Sequence, residues 1–142
     1  MAILKQDVFK TITDLDELKK VLHWFDTFQG PPIPQTVWLQ CQLALIEGFT
    51  NAVRHAHKRL PASTPIIIKA VATHESLDIK IWDQGPGFDF GSTLNRKLKT
   101  TTADSVGGRG LRIMRQVADT VEYLTEEPNQ NCLHICKYFS EP

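Results

Sequence analysis

The chain has no surplus of either charge: sixteen lysines and arginines stand against sixteen aspartates and glutamates. Such a balance creates no broad field that would draw in a nucleic-acid backbone or an anionic membrane, so partners must be recognised locally. Long apolar runs are also missing. The N-terminal MAILKQDVFK breaks its apolar residues with charge, and no uncharged stretch elsewhere reaches the length of a signal core or a membrane span. A cytosolic protein is expected. Cysteine is scarce, and Cys41, Cys132 and Cys136 lack the number and spacing of a disulfide framework, which fits a reducing compartment. Cys132, His134 and Cys136 would share one face of a strand, but no second ligand pair at zinc spacing occurs elsewhere, so they read as strand or core residues. No internal repeat or low-complexity tract is present.

What is present suits one globular domain over residues 1–142, with 42% hydrophobic and 23% charged content. Residues 6–12 place Val8 and Ile12 in alternation, with Phe9 out of phase, and predict a short strand at a sheet edge. Asp14 precedes Glu17 by the three positions of a capping box, and Leu15, Leu18, Leu22, Phe25 and Phe28 follow at helical spacing. Gly30-Pro31-Pro32-Ile33-Pro34 ends that helix, because proline lacks an amide donor and restricts the residue before it. A second helical pattern over 36–59 carries Val37, Leu39, Leu43, Leu45, Ile46, Phe49, Ala52, Val53 and Ala56. So much of its circumference is apolar that the helix should be largely buried.

Residues 66–73 and 76–82 read as a hairpin turning at His74-Glu75. Residues 85–105 are rich in Gly, Ser, Thr and Lys without sustained periodicity, which marks a long functional loop. A third helix should run from near Gly108 to Asp119. A second hairpin follows, with strands 120–125 and 132–139 around Pro128-Asn129-Gln130-Asn131. The order βααββαββ predicts an α+β, two-layer sandwich with helices on one face of a mixed, mainly antiparallel sheet.

Three polar elements interrupt this apolar plan. Glu47, Asn51 and His55 recur every fourth position, so they stack along one face of the second helix. A solvated helix face would give the same spacing, but the flanking Ala44, Leu45, Phe49, Ala52 and Val53 leave little room for one. An Asn oxygen suits magnesium, which prefers hard oxygen ligands and completes its shell with waters and phosphates. Asp83-Gln84-Gly85-Pro86-Gly87-Phe88 follows an apolar strand. It reads equally as a plain turn or as a carboxylate placed to accept from an adenine amino group, with glycines that let a ligand approach the backbone. Gly107-Gly108-Arg109-Gly110 opens the third helix, where unpaired amides and the helix dipole suit a phosphate. A flexible loop leading into the helix is the other reading.

In that order, Glu-x-x-x-Asn on a helix, Asp-x-Gly-x-Gly after a strand and Gly-x-Gly opening a helix resemble the Bergerat-fold ATPases. That superfamily includes gyrase, the mismatch-repair ATPases, the heat-shock chaperone ATPase domain and the sensor histidine kinases. Within it, Glu47-Gly48-Phe49-Thr50-Asn51-Ala52-Val53-Arg54-His55-Ala56 and Gly108-Arg109-Gly110-Leu111-Arg112-Ile113-Met114 look most like the anti-sigma-factor serine/threonine protein kinases. The likeness spans nearly the whole chain. Histidine kinases usually lack the glutamate and carry a dimerising helical pair ahead of the ATP domain, for which 142 residues leave no room.

The resemblance implies ATP and Mg2+ as cofactors, with Glu47 as catalytic base, Asn51 as magnesium ligand and Asp83 as adenine contact. Gly85, Gly87, Gly108 and Gly110 would form the backbone around the nucleotide, with His55, Arg109 and Leu111 beside it. The implied partners are an antagonist protein whose serine or threonine accepts the phosphate, a sigma factor, and a second copy of the chain joined through the first strand. Some relatives carry a basic residue where this chain has Val106-Gly107, so Arg109, Lys97 or Lys99 would meet the γ-phosphate. The alternative is a module of the same fold that uses ATP only to set its affinity for a partner. Glu47 argues against it, since a pure switch needs no base.

Overall fold

The computed structural model describes residues 2–86, 108–127 and 129–139. Five strands, β1 (Ile3–Ile12), β2 (Pro65–Thr73), β3 (Ser76–Asp83), β4 (Thr120–Glu127) and β5 (Gln130–Tyr138), form one sheet in the order β1-β2-β3-β5-β4. Every pairing among the described residues is antiparallel, so the sheet is not mixed. The reason lies in the last hairpin. β3 and β4 run parallel across a helical crossover, but β5 folds back into the gap between them and is antiparallel to both.

The period of two decides which residues meet the helices. Ile68, Ala70 and Ala72 of β2 oppose Ile81, Ile79 and Leu77 of β3, and Ile81 and Ile79 in turn oppose Leu133 and Ile135 of β5; these side chains, with Ile66, are all buried. The opposite face carries Lys69, Lys80, His134 and Glu122 in one cross-strand row. Cys132 and Cys136 share that face, where His134 bonds Asp78 at 2.9 Å. β1 is the expected edge strand but starts earlier than residue 6, passing a register shift between Ile3 and Lys5. Its first residues are exposed, so no apolar alternation announces them.

Among the described residues three α-helices cover the buried face: α1 (Leu18–Phe25), α2 (Gln35–Asn51) and α3 (Gly108–Val117). α1 is bracketed by short 3-10 turns, Leu15–Glu17 and Asp26–Phe28. The expected capping box does not close. Asp14 Oδ1 accepts from the Asp16 amide, whereas Glu17 accepts from Thr11 Oγ1 at 3.1 Å and pairs with Lys20 at 3.0 Å. Val21, Trp24, Phe25 and Phe28 form its buried side, with Phe25 stacked on Trp38 of α2 and Trp24 stacked on Phe9 of β1.

α2 lies across the middle of the sheet. A Cβ on Gly48 would stand 2.7 Å from Ile81 Cδ1 and 3.1 Å from Leu133 Cδ2, so the missing side chain sets how closely helix and sheet approach. α2 is less buried than its composition predicts, because Leu39 and Leu43 lie on its outer side, 47% and 38% exposed. α3 packs against α2 and β4, with Leu111 and Met114 in the core. No helix among the described residues is long and apolar enough to cross a membrane.

Candidate functional site

The α-helical hydrogen bonding of α2 ends at Asn51, and Ala52–Ala56 form a π turn closed by the His57 amide donating to the Ala52 carbonyl at 2.9 Å. Such a turn takes an extra residue and often marks a functional place in a helix. Here it resets the helical register after Asn51. Asn51 is buried, Glu47 and His55 are half-buried, and it is His57 that reaches the segment after β3.

His57 is 1% exposed, and its protonation follows from its partners. The Gln84 amide donates to Nε2 at 2.7 Å, so that nitrogen carries no proton. The ring proton is then on Nδ1 and goes to Thr13 Oγ1 at 2.7 Å, whose hydroxyl donates to the Thr64 carbonyl at 2.7 Å. Burial pushes the imidazole below its ordinary range, and the nearby Asp83 charge opposes this less strongly. Beside this contact, a Cβ on Gly85 would overlap the Ala56 carbonyl oxygen, so glycine is required for the close approach. The end of the α2 segment and the Asp83 segment are thus joined at two adjacent points.

Asp83 ends β3 with only 3% exposure. Its Oδ1 accepts from the Gly85 amide at 3.0 Å and from Asn131 Nδ2 at 2.8 Å, and its Oδ2 from the Tyr123 hydroxyl at 2.8 Å. Asn131 stands opposite Asp83 in the β3–β5 register, and its Nδ2 also donates to the Gly85 carbonyl at 3.0 Å. Sequence reasoning missed both partners. Asn131 falls in the stretch read as a turn, yet it begins the buried alternation Asn131, Leu133, Ile135; a polar residue in phase with core positions was the available signal.

The third element meets the first. A Cβ on Gly110 would lie 2.8 Å from Glu47 Oε2, so the Glu47 carboxylate rests against the first turn of α3, where backbone amides lack intrahelical partners. Glu47 and Gly110 are therefore brought together, as are Gly85 and the end of the α2 segment. The backbone of Gly108 opens α3, whereas the Arg109 side chain lies outside the described residues. Leu111 has its side chain in the core, 2% exposed, so only its backbone is available to a ligand. Arg112, one turn beyond Gly108, has a buried Nε with no hydrogen-bond partner among the described residues. Gly87, Val106, Gly107, Lys97 and Lys99, with nearly all of the 85–105 loop, lie outside the described residues.

Residues 12–137 match the family model of the histidine kinase-like ATPase domain. The chain is similar to a serine-protein kinase RsbW of Bacillus pumilus, 32% identical over 87 residues, which cover 57% of this chain and 54% of that protein. The match thus spans about half the length of that curated relative. With the family model covering most of the sequence and the three motifs meeting around one end of α2, the chain belongs to the histidine kinase-like ATPase domain family.

Proposed function

We propose that the protein is an ATP-dependent serine/threonine protein kinase of the anti-sigma-factor type, one that phosphorylates a small antagonist protein and binds a sigma factor. The observation that carries the reading is the Glu47 carboxylate against the first turn of α3. A base belongs where the transferred phosphoryl group and the acceptor hydroxyl meet, and a helix N-terminus is where phosphate oxygens are received. The relative that is itself a serine-protein kinase supports it.

In this reading Asp83 accepts from the adenine amino group, and the backbone of Gly85, Gly87, Gly108 and Gly110 lines the nucleotide. His55, Arg109 and the Leu111 amide stand near its phosphates. The Arg112 Nε, without a partner among the described residues, adds a buried cationic donor that an anionic ligand would satisfy. Among the described residues no group of three or more His, Cys, Asp or Glu side chains could hold a metal by itself. A magnesium ion carried in by phosphates needs few protein ligands, and the single buried oxygen donor of Asn51 fits that role. Bound there, the ion would neutralise phosphate charge, while Glu47 takes the proton of the incoming serine or threonine hydroxyl. The absence of a long apolar helix among the described residues and the three free cysteines are compatible with a cytosolic setting.

The test separates base from binding. Glu47→Gln should keep ATP affinity but lose phosphate transfer to antagonist proteins by roughly a hundred- to ten-thousandfold, the usual contribution of a general base. Asn51→Ala should lose magnesium-dependent binding as well. If the wild type binds Mg-ATP and an antagonist yet transfers no phosphate, or if Glu47→Gln transfers at the wild-type rate, the kinase reading fails. An ATP-gated binding module of the same fold then takes its place.

A further inference from the structure

Asp83 is held more firmly than an adenine contact requires. A carboxylate offers about four acceptor directions over its two oxygens. Gly85 N and Asn131 Nδ2 take both on Oδ1, and the Tyr123 hydroxyl takes one on Oδ2, which leaves a single direction beside the phenol. The clamp is itself fixed. Thr125 Oγ1 donates to Asn131 Oδ1 at 2.8 Å, while the amide nitrogen serves Asp83 and the Gly85 carbonyl together. Turned over, that amide would set its oxygen against two acceptors. Tyr123 is equally constrained, since burial first and the Asp83 charge second push its ionisation above the ordinary range and keep it a donor.

We infer that Tyr123 and Asn131 are positioning residues that make Asp83 select a purine with an amino group at C6 over one with a carbonyl there. The inference rests on the reading of Asp83 as the base contact. The chemical reason is rotation. A 6-oxo purine presents an acceptor where adenine presents its amino donor, but it carries an N1–H that a carboxylate free to turn could take instead. A carboxylate pinned by three donors cannot follow that shift, so the 6-oxo base meets acceptor against acceptor in a desolvated place. Discrimination then belongs to the clamp as much as to the carboxylate.

The experiment measures ATP and inosine triphosphate affinities by calorimetry, with magnesium, for the wild type, Tyr123→Phe, Asn131→Ala, Asp83→Asn and the Tyr123→Phe/Asp83→Asn double variant. The wild type should prefer ATP. Tyr123→Phe and Asn131→Ala should each lower ATP affinity by about tenfold, the scale of one hydrogen bond to a charged group, and leave inosine triphosphate less affected, so that the ratio narrows. In the Asp83→Asn background, Tyr123→Phe should change the ratio no further. Equal losses for both nucleotides would mark a merely structural role and overturn the inference. So would an unchanged ratio in Tyr123→Phe beside a collapsed ratio in Asp83→Asn, although the base contact would then stand. If the wild type binds both nucleotides alike, or Asp83→Asn keeps full ATP affinity, the adenine reading falls and takes the clamp with it. Tyr123→Phe removes only a hydroxyl, so it decides the matter should Asn131→Ala not fold.

Discussion

At the scale of single residues, His57 ties three parts of the chain together: Thr13 after β1, the Thr64 carbonyl before β2, and the Gln84 amide after β3. The bond to Gln84 requires an unprotonated Nε2, so protonation both charges a buried ring and turns an acceptor into a donor facing a donor. Because the folded-state pKa lies below the unfolded value of 6.5, the unfolded chain binds more protons between the two values. The contribution of His57 to stability is therefore complete above pH 6.5 and is lost as pH falls from there toward the folded pKa. Urea unfolding at pH 7.5 and 5.5 should give a lower midpoint in acid, and His57→Gln, which has no titrating ring, should reduce that difference. An equal difference in the variant would remove His57 as its source. Four-residue spacing singles out His55, whereas His57, which meets the Gln84 amide, lies just past the π turn. The π turn that brings His57 into play is a tertiary compromise, and nothing in the spacing of 47, 51 and 55 announces it.

At the scale of elements, the site depends on two joints where backbone meets a neighbour without an intervening side chain. One is Gly85 on the Ala56 carbonyl, and the other is Gly110 on Glu47. They should fail differently. Gly85→Ala drives a methyl into a backbone carbonyl that cannot turn aside, so it should lower stability by about 1–3 kcal/mol and weaken nucleotide binding, measurable by thermal melting and calorimetry. Gly110→Ala meets only the end of a glutamate side chain, which can rotate. It should leave the melting midpoint close to wild type yet slow phosphate transfer, and an unimpaired rate would detach Glu47 from the chemistry.

Most of the elements themselves were legible, since β2, β3 and the last two strands follow period-two apolar patterns, and α2 declares itself through Val37, Cys41, Ala44, Leu45 and Phe49. The strand order was not, because it depends on where the C-terminal hairpin inserts rather than on any local pattern. The same insertion explains why Asn131 looked like a turn: its meaning comes from Asp83, 48 positions away.

At the scale of the whole molecule, β1 leaves one sheet edge uncovered among the described residues, with Ile3, Leu4, Val8 and Ile12 between 40% and 54% exposed. An edge strand with apolar side chains is a template for pairing, while Lys5 and Lys10 discourage indiscriminate association. A homodimer joined through β1 is the expected state. Light scattering at micromolar concentration should report twice the chain mass, and Val8→Lys should shift the population toward monomer. A wild-type monomer under those conditions would count against the dimer.

The placement of β5 between β3 and β4 also sets a timetable. During synthesis β3 and α3 leave the ribosome before the strand that separates β3 from β4, so the middle of the sheet is filled last. Until residues 130–138 emerge, β3 has one bare edge and Asp83 lacks Asn131, so a nascent chain could carry all three nucleotide motifs and still hold no finished base pocket. Competence to bind would then arrive in a single late step, with closure of the sheet, instead of growing motif by motif.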